Sequence, residues 1–483
     1  MRAFLLLLLR ISFLLSLLFY FPQAHSQTPP GGHEPSASTV PEAVGILSEY
    51  VSVSSESGSE HLAGKYLSDI CREKGLFVHK LDSDEGGCNF IASLYPLEEN
   101  KPNIIFLNHI DVVPAGDPEE WKYPPYSGAI EENRVWGRGS IDNKGLGVIQ
   151  LMALSSFIHE ARVSDLPYNV SILSVSGEET GGERGSGIVS SYHMEEINPA
   201  VIIGEGSCGF ENMDFIGIDS PVFGISIADK SMLWLELHVH TEEMGHASVN
   251  MGKYPNKRLV KGLHRILEKK QKIRFNDASL TMFRELGKLR GGLKGFSIRH
   301  IHWFPFRPVL KKFVKKEPRL AALACNNITL THFKNPEGSI NQHSGEARAY
   351  LDCRLLPGFT AEEMVDEISK TLNDTSIHIE VITKGPPALM TEPDVFFEAL
   401  SGSIKTVFKD AEVVPVLFPA TTDNNYFRER GCPVYGLNPY FMSLDQISTI
   451  HSANEFMDIR DVYRGIEVFK VFIGKMLGAT PSD

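Results

Sequence analysis

Short apolar runs alternate with helical patterns over the first half of the chain. Apolar residues recur at helical spacing over 44–51 and 61–71, and Gly75 is a typical helix end. Between and after these helices come short apolar or β-branched runs bounded by turn residues, which predict strands. The predicted strands span residues 77–81, 89–94, 104–108, 170–175 and 200–203. Strands that alternate with helices predict an α/β fold with a mixed, mainly parallel sheet, flanked by helices, whose functional side chains lie at the carboxyl ends of the strands.

The pattern changes near Pro221 and returns to the first kind after Pro387. Residues 233–240 alternate apolar and polar positions, as a half-exposed strand does. Further strands are predicted at 327–333, 346–355 and 377–382, with a helix at 360–372. Beyond Pro387, the patterns predict a helix at 394–408, a strand at 413–418 and a closing helix at 460–476. We therefore predict a catalytic domain in two parts, 41–220 and 386–478, with an inserted α+β domain at 221–385.

The amino terminus predicts a targeting segment rather than part of the fold. Residues 1–26 carry Arg2, a Leu- and Phe-rich run and a small-residue cleavage pattern, which together are typical of a secretory signal peptide. The alternative is an uncleaved membrane anchor. Residues 27–40 are rich in Pro, Gly and Ser and predict a disordered leader. A secreted or periplasmic location follows, where six scattered cysteines permit disulfides, including one between Cys71 and Cys88, or stay as buried thiols.

Composition excludes one class of partner. The 483 residues are 42% hydrophobic and 22% charged, as in ordinary globular proteins, and the net charge is −13. Such an acidic balance argues against nucleic-acid binding. A basic, aromatic section at 290–316 stands out. It predicts either a solvated helix face or a surface that contacts anionic membranes or fatty-acyl substrates.

Histidine and carboxylate side chains follow several predicted strands and turns. His109 and Asp111 end the strand at 104–108, and residues two apart in a strand share a face, so the carboxylate could fix the imidazole as a metal ligand. A lone pair of this kind more often only caps a loop. The further acidic and histidine residues at such places are Asp142, Glu178, Glu179, Glu205 and His451. Five nitrogen and oxygen ligands suit two Zn²⁺ ions with one bridging carboxylate, and leave one carboxylate as a base.

The ordered motifs resemble those of the di-zinc exopeptidase and deacylase family, which includes aminoacylases, glutamate carboxypeptidases, acetylornithine deacetylase and succinyl-diaminopimelate desuccinylase. The resemblance covers about residues 41–475, nearest the secreted carboxypeptidase and N-acyl-amino-acid hydrolase branch. The motifs are Asn-His-Ile-Asp-Val-Val-Pro, Trp-Gly-Arg-Gly-Ser-Ile-Asp-Asn-Lys-Gly, Gly-Glu-Glu-Thr-Gly-Gly, Gly-Glu-Gly, Gly-His-Ala-Ser and Ile-His-Ser-Ala-Asn-Glu. The resemblance implies two Zn²⁺ ions per subunit, with Co²⁺ or Mn²⁺ as substitutes, and an inserted domain that serves as lid and dimerisation domain.

The same resemblance assigns metal roles. It implies that Asp142 bridges the ions, that His109 and Glu205 complete one site, and that Glu179 and His451 complete the other. Asp111 would orient the His109 ring.

The remaining roles concern catalysis and substrate. The resemblance implies that Glu178 is the general base and that His246 reaches the substrate carbonyl, often across a dimer contact. Asn341 and Arg354 match lid positions that contact substrate oxygens and a terminal carboxylate. The sequence departs from the family pattern at Gly204, at 419–422 and at 341–344, so the substrate residues follow it less closely than the metal ligands.

We therefore expect a zinc metallopeptidase that cleaves an amide bond beside a free carboxylate, as carboxypeptidases and dipeptidases do. An aminoacylase acting on N-acyl amino acids is the alternative at the same site. A non-catalytic binding protein on this fold would have lost the base or a ligand, and neither is lost. A homodimer through the lid is expected.

Overall fold

The computed structural model describes residues 40–82, 88–214, 216–242, 245–249, 252–270, 272–303, 318–336 and 338–481. The predicted signal peptide, nearly all of the leader and residues 304–316 of the basic section lie outside this range. No helix among the described residues is long and apolar enough to span a membrane.

The strands and helices are numbered in chain order. The strands are β1 Phe77–Lys80, β2 Phe90–Ser93, β3 Asn103–His109, β4 Ala129–Glu131, β5 Arg134–Trp136, β6 Asn169–Val175, β7 Pro199–Phe210, β8 Val222–Asp229, β9 Ser231–His240, β10 Asn327–Lys334, β11 Glu346–Leu355, β12 His378–Lys384, β13 Glu412–Phe418, β14 Val434–Phe441 and β15 Phe456–Asp458. The α-helices are α1 Val40–Ser52, α2 His61–Lys74, α3 Lys144–Ser155, α4 Ile158–Val163, α5 Ile188–Tyr192, α6 Met194–Ile197, α7 Pro255–Leu267, α8 Asp277–Arg290, α9 Gly292–Arg299, α10 Pro318–Ala324, α11 Ala361–Leu372, α12 Val395–Val407, α13 Asn424–Glu429, α14 Leu444–Thr449 and α15 Ile459–Leu477.

The central element is an eight-stranded sheet in the order β1-β2-β6-β3-β7-β14-β8-β13. The pairs β3–β6, β3–β7, β7–β14 and β8–β13 are parallel, and β1 and β2 pair antiparallel at one edge. Alternate residues of β3 enter two different cores: Ile104 and Phe106 face one, Ile105 and Leu107 the other. Helices cover both faces, which explains why this strand reads as a continuous apolar run. The predicted mixed, mainly parallel α/β sheet is confirmed.

A second sheet has four antiparallel strands in the order β10-β11-β9-β12. Its buried face packs on α7 and α11, while residues such as Glu236 and Arg348 lie on the other face. We call this sheet, with its two helices and the loops next to its strands, the lid. Because only one face is covered, its strands alternate apolar and polar residues, as the sequence indicates.

The chain enters and leaves the lid through two adjacent connections. Ser231 Oγ donates to the backbone oxygen of Pro386 at 2.6 Å, and Gly385 N donates to that of Met232 at 3.0 Å. Strand β8 still pairs within the central sheet, so the crossing lies at 229–231 rather than at residue 221. The alternating pattern starts only at Leu233, where one face becomes exposed.

The structure also describes the cysteines and part of the basic section. All six cysteines are free thiols, so Cys71 and Cys88 do not form a disulfide. The described part of the basic section forms the end of α8, helix α9 and a turn, in which Leu293 is 78% exposed and Trp303 47% exposed, while Ile298 packs inward.

Candidate active site

Strand β3 carries His109 to the carboxyl edge of the central sheet. The imidazole is 2% exposed, and its Nδ1 lies 2.9 Å from the backbone oxygen of Asp111 and 3.6 Å from Asp111 Oδ1. These contacts turn Nε2 towards Asp142 Oδ1 at 3.0 Å and Glu205 Oε2 at 3.8 Å. Asp111 therefore orients the ring through its backbone as much as through its carboxylate.

The carboxylate of Asp142 lies between two imidazoles. Its Oδ1 faces His109, and its Oδ2 lies 3.1 Å from His451 Nε2. The same His451 nitrogen is 3.2 Å from Glu179 Oε2. On the other side, Asn143 Nδ2 donates to Glu205 Oε2 at 2.7 Å. The structure thus brings together all five residues that the sequence predicts as metal ligands.

Asp111 also holds the backbone of the turn that carries Glu178 and Glu179. Its carboxylate accepts hydrogen bonds from Ser57 Oγ at 2.7 Å, from Glu178 N at 3.0 Å and from Glu179 N at 3.2 Å. Asp111 is fully buried. One carboxylate therefore links the end of β3 to the turn after β6, a contact that the sequence pattern does not reveal.

Several carboxyl groups lie close together and buried at this edge of the sheet. Burial and the neighbouring Glu205 raise the pKa of Glu178 well above its usual value, and burial raises the pKa of Glu205 to about 8. Burial would lower the pKa of His109, but hydrogen bonds to Asp111 and Asp142 hold it well above its usual range. Hydrogen bonds to Asp142 and Glu179 raise the pKa of His451 to about 10. Cations placed between these groups would relieve the repulsion among the carboxylates.

The donor set fits divalent metal ions. Ligand atoms of His109, Glu178 and Glu205 lie within 4.8 Å of one another, as do those of His109, Asp142 and Glu179. Glu179 Oε1 is buried without a hydrogen-bond partner. Imidazole and carboxylate donors of this kind suit zinc. Glu178 lies among the ligand atoms, so its position alone suits either a ligand or a proton acceptor.

Glu455 supports the backbone of the site, a role that the sequence analysis did not assign. It is fully buried and accepts hydrogen bonds from Arg138 Nη1 at 2.6 Å and from three backbone N–H groups at 2.9 to 3.1 Å. The backbone donors are Gly139, Ile141 and Asp142. Glu455 thereby ties the loop of His451 to the turn of Asp142. Its place in the Ile-His-Ser-Ala-Asn-Glu motif was the available signal.

The metal-ligating edge opens into one large cavity of about 1480 Å³. Its polar end includes Asp142, Glu178, Glu205 and His451, and Arg354 of the lid lines it as well. Asp352 Oδ2 accepts hydrogen bonds from Arg354 Nη2 at 2.9 Å and from Nε at 3.3 Å. A guanidinium near the ligand edge can bind a substrate carboxylate.

Two predicted substrate residues lie elsewhere. His246 and Asn341 are exposed on the lid, and Asn341 Nδ2 lies 3.4 Å from His246 Nε2. His246 Nδ1 lies 2.8 Å from Ser248 Oγ. Neither residue is among the described residues that line the cavity. The structure therefore pairs them with each other and not with the metal-ligating edge.

Comparison with known proteins is decisive for the family. Residues 105–475, more than half of the chain, match Peptidase family M20/M25/M40. The chain belongs to this family. Its members are metal-dependent hydrolases of amide and peptide bonds, so the predicted family and reaction class are confirmed.

Relatives within the M20 family fall on both predicted branches. The chain is 24% identical over 379 residues to the probable carboxypeptidase S-like 2 of Dictyostelium discoideum, covering 77% of this chain and 71% of that protein. It is 26% identical over 394 residues to an N-fatty-acyl-amino acid synthase/hydrolase of Mus musculus, covering 79% and 76%. The fold is similar to that of an M20 metallo-carboxypeptidase from Sulfolobus solfataricus, with a TM-score of 0.68 at 20% identity, covering 90% of this chain and 99% of that one.

Proposed function

We propose that this M20 protein is a two-zinc hydrolase that cleaves an amide bond next to a free carboxylate. The observation that carries the proposal is the placement of Asp142 between His109 and His451, with Glu178 and Arg354 on the same cavity. One carboxylate between two imidazoles is suited to bridge two ions. Co²⁺ or Mn²⁺ would serve as substitutes for Zn²⁺.

The side chains support a hydrolytic sequence. Zinc bound here would lower the pKa of water and polarise the amide carbonyl. Glu178 accepts a proton from the attacking water as its oxygen adds to the carbonyl carbon. The carbon–nitrogen bond then breaks, and Glu178 returns the proton to the leaving amine. The products are a carboxylic acid and an amino acid or shorter peptide.

Arg354 would fix the substrate carboxylate. Its Nε and Nη2 both donate to Asp352 Oδ2, which fixes the orientation of the guanidinium, and this planar group can bind a carboxylate through two parallel hydrogen bonds. This contact would place the scissile amide beside the free carboxyl end.

His246 would stabilise the developing oxyanion, with Asn341 beside it. Because both are exposed on the lid and away from the cavity, we propose that they serve the site of a second copy of the chain in a homodimer.

We propose N-acyl amino acids with a long acyl chain as the favoured substrates. The cavity exceeds the roughly 300–1,000 Å³ typical of small-molecule sites, and much of its wall is apolar. The mouse relative is named for N-fatty-acyl amino acids. Small peptides are the second candidate, supported by the carboxypeptidase-like relative.

The location of the protein is also a proposal. We propose that residues 1–26 are removed and that the mature chain acts outside the cytosol, with an uncleaved anchor as the alternative. Amino-terminal sequencing of the exported protein decides between them. Contact of the 290–316 section with anionic membranes is tested by salt-sensitive binding to anionic vesicles, since Leu293 and Trp303 are exposed there.

A screen of purified, zinc-loaded protein against N-acyl amino acids and dipeptides tests the proposed reaction. We expect turnover of substrates with a free carboxylate and none of their methyl esters. Equal turnover of the esters would contradict the role of a carboxylate at the cleaved end.

A further inference from the structure

One part of the cavity is built by residues remote from the metal-ligating edge. Helix α8 packs against β13, helix α9 packs on α8, and side chains of all three elements belong to one apolar cluster. We call this part of the cavity the apolar arm, and its wall includes Met282, Phe283, Leu286, Ile298, Val414 and Val416. Every described lining residue contributed by 277–324 is apolar.

The apolar arm is continuous with the reacting end. Strand β7 continues past Glu205, and Gly206, Ser207, Cys208 and Phe210 line the same cavity. Five residues of strand span about 16 Å, at about 3.3 Å each. A linear group that starts at the amide carbonyl beside Glu205 can therefore follow β7 towards the arm.

The apolar wall of the arm favours binding of an alkyl chain over binding of a peptide chain. A peptide chain carries N–H and C=O groups, and burying them against an apolar wall without hydrogen-bond partners is costly. An alkyl chain has no such groups and gains free energy with each buried methylene. The helices therefore present a surface suited to an aliphatic chain and not to a second stretch of peptide.

We propose that the apolar arm binds the acyl chain of the substrate and that Met282 and Leu286 of α8 set the accepted chain length. The inference rests on the proposed function, and it assigns substrate selection to the α8–α9 pair rather than to the four-stranded lid. Leu286 is 4% exposed and Met282 is 2% exposed, so both side chains lie within the wall.

The test compares acyl chains of different length on one amino acid. For acetyl, octanoyl and hexadecanoyl substrates, we expect kcat/KM of the wild type to rise up to about fourfold per methylene while the chain is being buried. Leu286→Phe narrows the arm and should lower kcat/KM for the hexadecanoyl substrate by about tenfold or more. It should leave the acetyl substrate within about twofold.

The matched control is Arg284→Phe, which adds the same ring on the exposed side of the same helix. We expect it to keep the wild-type length profile. An equal loss for all lengths in Leu286→Phe, or a wild type indifferent to chain length, would overturn the acyl-chain assignment. Failure of the proposed reaction itself is distinguishable, because it would abolish turnover of every N-acyl amino acid.

Binding gives a second measurement that does not depend on turnover. Hexadecanoate is titrated calorimetrically into two zinc-loaded proteins, Glu178→Ala and the double variant Glu178→Ala with Met282→Trp. The apolar arm is open in the first and filled by the tryptophan ring in the second. We expect hexadecanoate to bind the first and to lose at least about tenfold in affinity for the second, with acetate unaffected. Unchanged hexadecanoate affinity would place the chain elsewhere.

Discussion

The carboxyl edge of the central sheet and the exposed pair on the lid both carry residues that short motifs identify, but their surroundings differ. At the edge, His109, Asp142 and Glu179 are enclosed, and Asp111 and Glu455 hold the backbone that presents them. On the lid, His246 and Asn341 are exposed and contact each other. The edge is therefore assembled by one chain, whereas the lid pair lies apart from it and would serve the site of a second copy in the proposed homodimer.

Removal of the proposed base should have the largest effect. Glu178→Ala should lower kcat by about 10²–10⁴-fold and retain bound zinc, because the proton acceptor is lost and all five proposed ligands stay. Steady-state kinetics and metal analysis measure both quantities. Glu183→Ala, an exposed neighbour, is the control. Loss of a metal ion from Glu178→Ala would show that Glu178 is a ligand.

The lid pair should give the next largest effect. His246→Ala should lower kcat by about 10²–10³-fold, as expected for loss of one oxyanion donor. Mixing this variant with Glu178→Ala should restore activity, because mixed dimers would contain one complete site. Control dimers that pair Glu178→Ala with itself should stay inactive. Failure to restore activity would mean that His246 acts within its own chain or not at all.

Substitution of Glu455 tests how strongly zinc affinity depends on the hydrogen bonds that support the ligands. Glu455→Gln keeps the shape but replaces one acceptor oxygen by a donor, so some of the four bonds must be lost. We expect zinc affinity to fall by about 10–100-fold, measured by competition with a chelator. Glu412→Gln, an exposed carboxylate paired with Lys405, should leave zinc affinity unchanged.

The last prediction concerns stability and not activity, at the connection between the central sheet and the lid. Lys230 is fully buried, donates to the backbone oxygen of Cys325 at 2.7 Å, and burial lowers its pKa from 10.5 to about 7. Between these pH values the unfolded chain binds a proton that the folded chain does not. Lys230 should therefore contribute a rise in the free energy of unfolding from about pH 7 to about pH 10.5, of about 1.4 kcal/mol per pH unit at most.

Denaturant unfolding across that pH window measures the effect. Across this window the free energy of unfolding of the wild type should increase relative to that of Lys230→Met, whereas the difference between the wild type and the exposed control Lys384→Met should stay constant. Parallel curves for the wild type and Lys230→Met would contradict a lowered pKa at Lys230.

The local sequence pattern was sufficient to predict strands β3 and β9. A strand buried on both faces, such as β3, is apolar throughout, whereas a strand buried on one face, such as β9, alternates apolar and polar residues. Strand β14 was missed because Gly436 and Pro439 interrupt its apolar run, although it lies inside the central sheet. The packing of α8 on β13 was hidden by the basic residues around it. Glu455 could not be identified as a support, because its hydrogen-bond donors are more than 300 positions away.

The ligand set was predictable for a different reason. His109, Glu179 and Glu205 lie at the ends of predicted strands and Asp142 lies in a glycine-rich turn, and strand ends of a parallel sheet converge in space. His451 was identified through its motif and not through a strand. The sequence pattern alone could not locate the apolar arm, because its walls come from segments far apart in the chain.

The two adjacent connections at Ser231 and Pro386 have an evolutionary consequence. Ser231, where the chain enters the lid, is hydrogen-bonded to Pro386, where the chain leaves it. The length and sequence of the lid can therefore change without altering the distance between β8 and the segment after Pro386. Such geometry permits exchange of whole lids between related genes by recombination. Descendants could then acquire new partners while inheriting an unaltered metal-ligating edge.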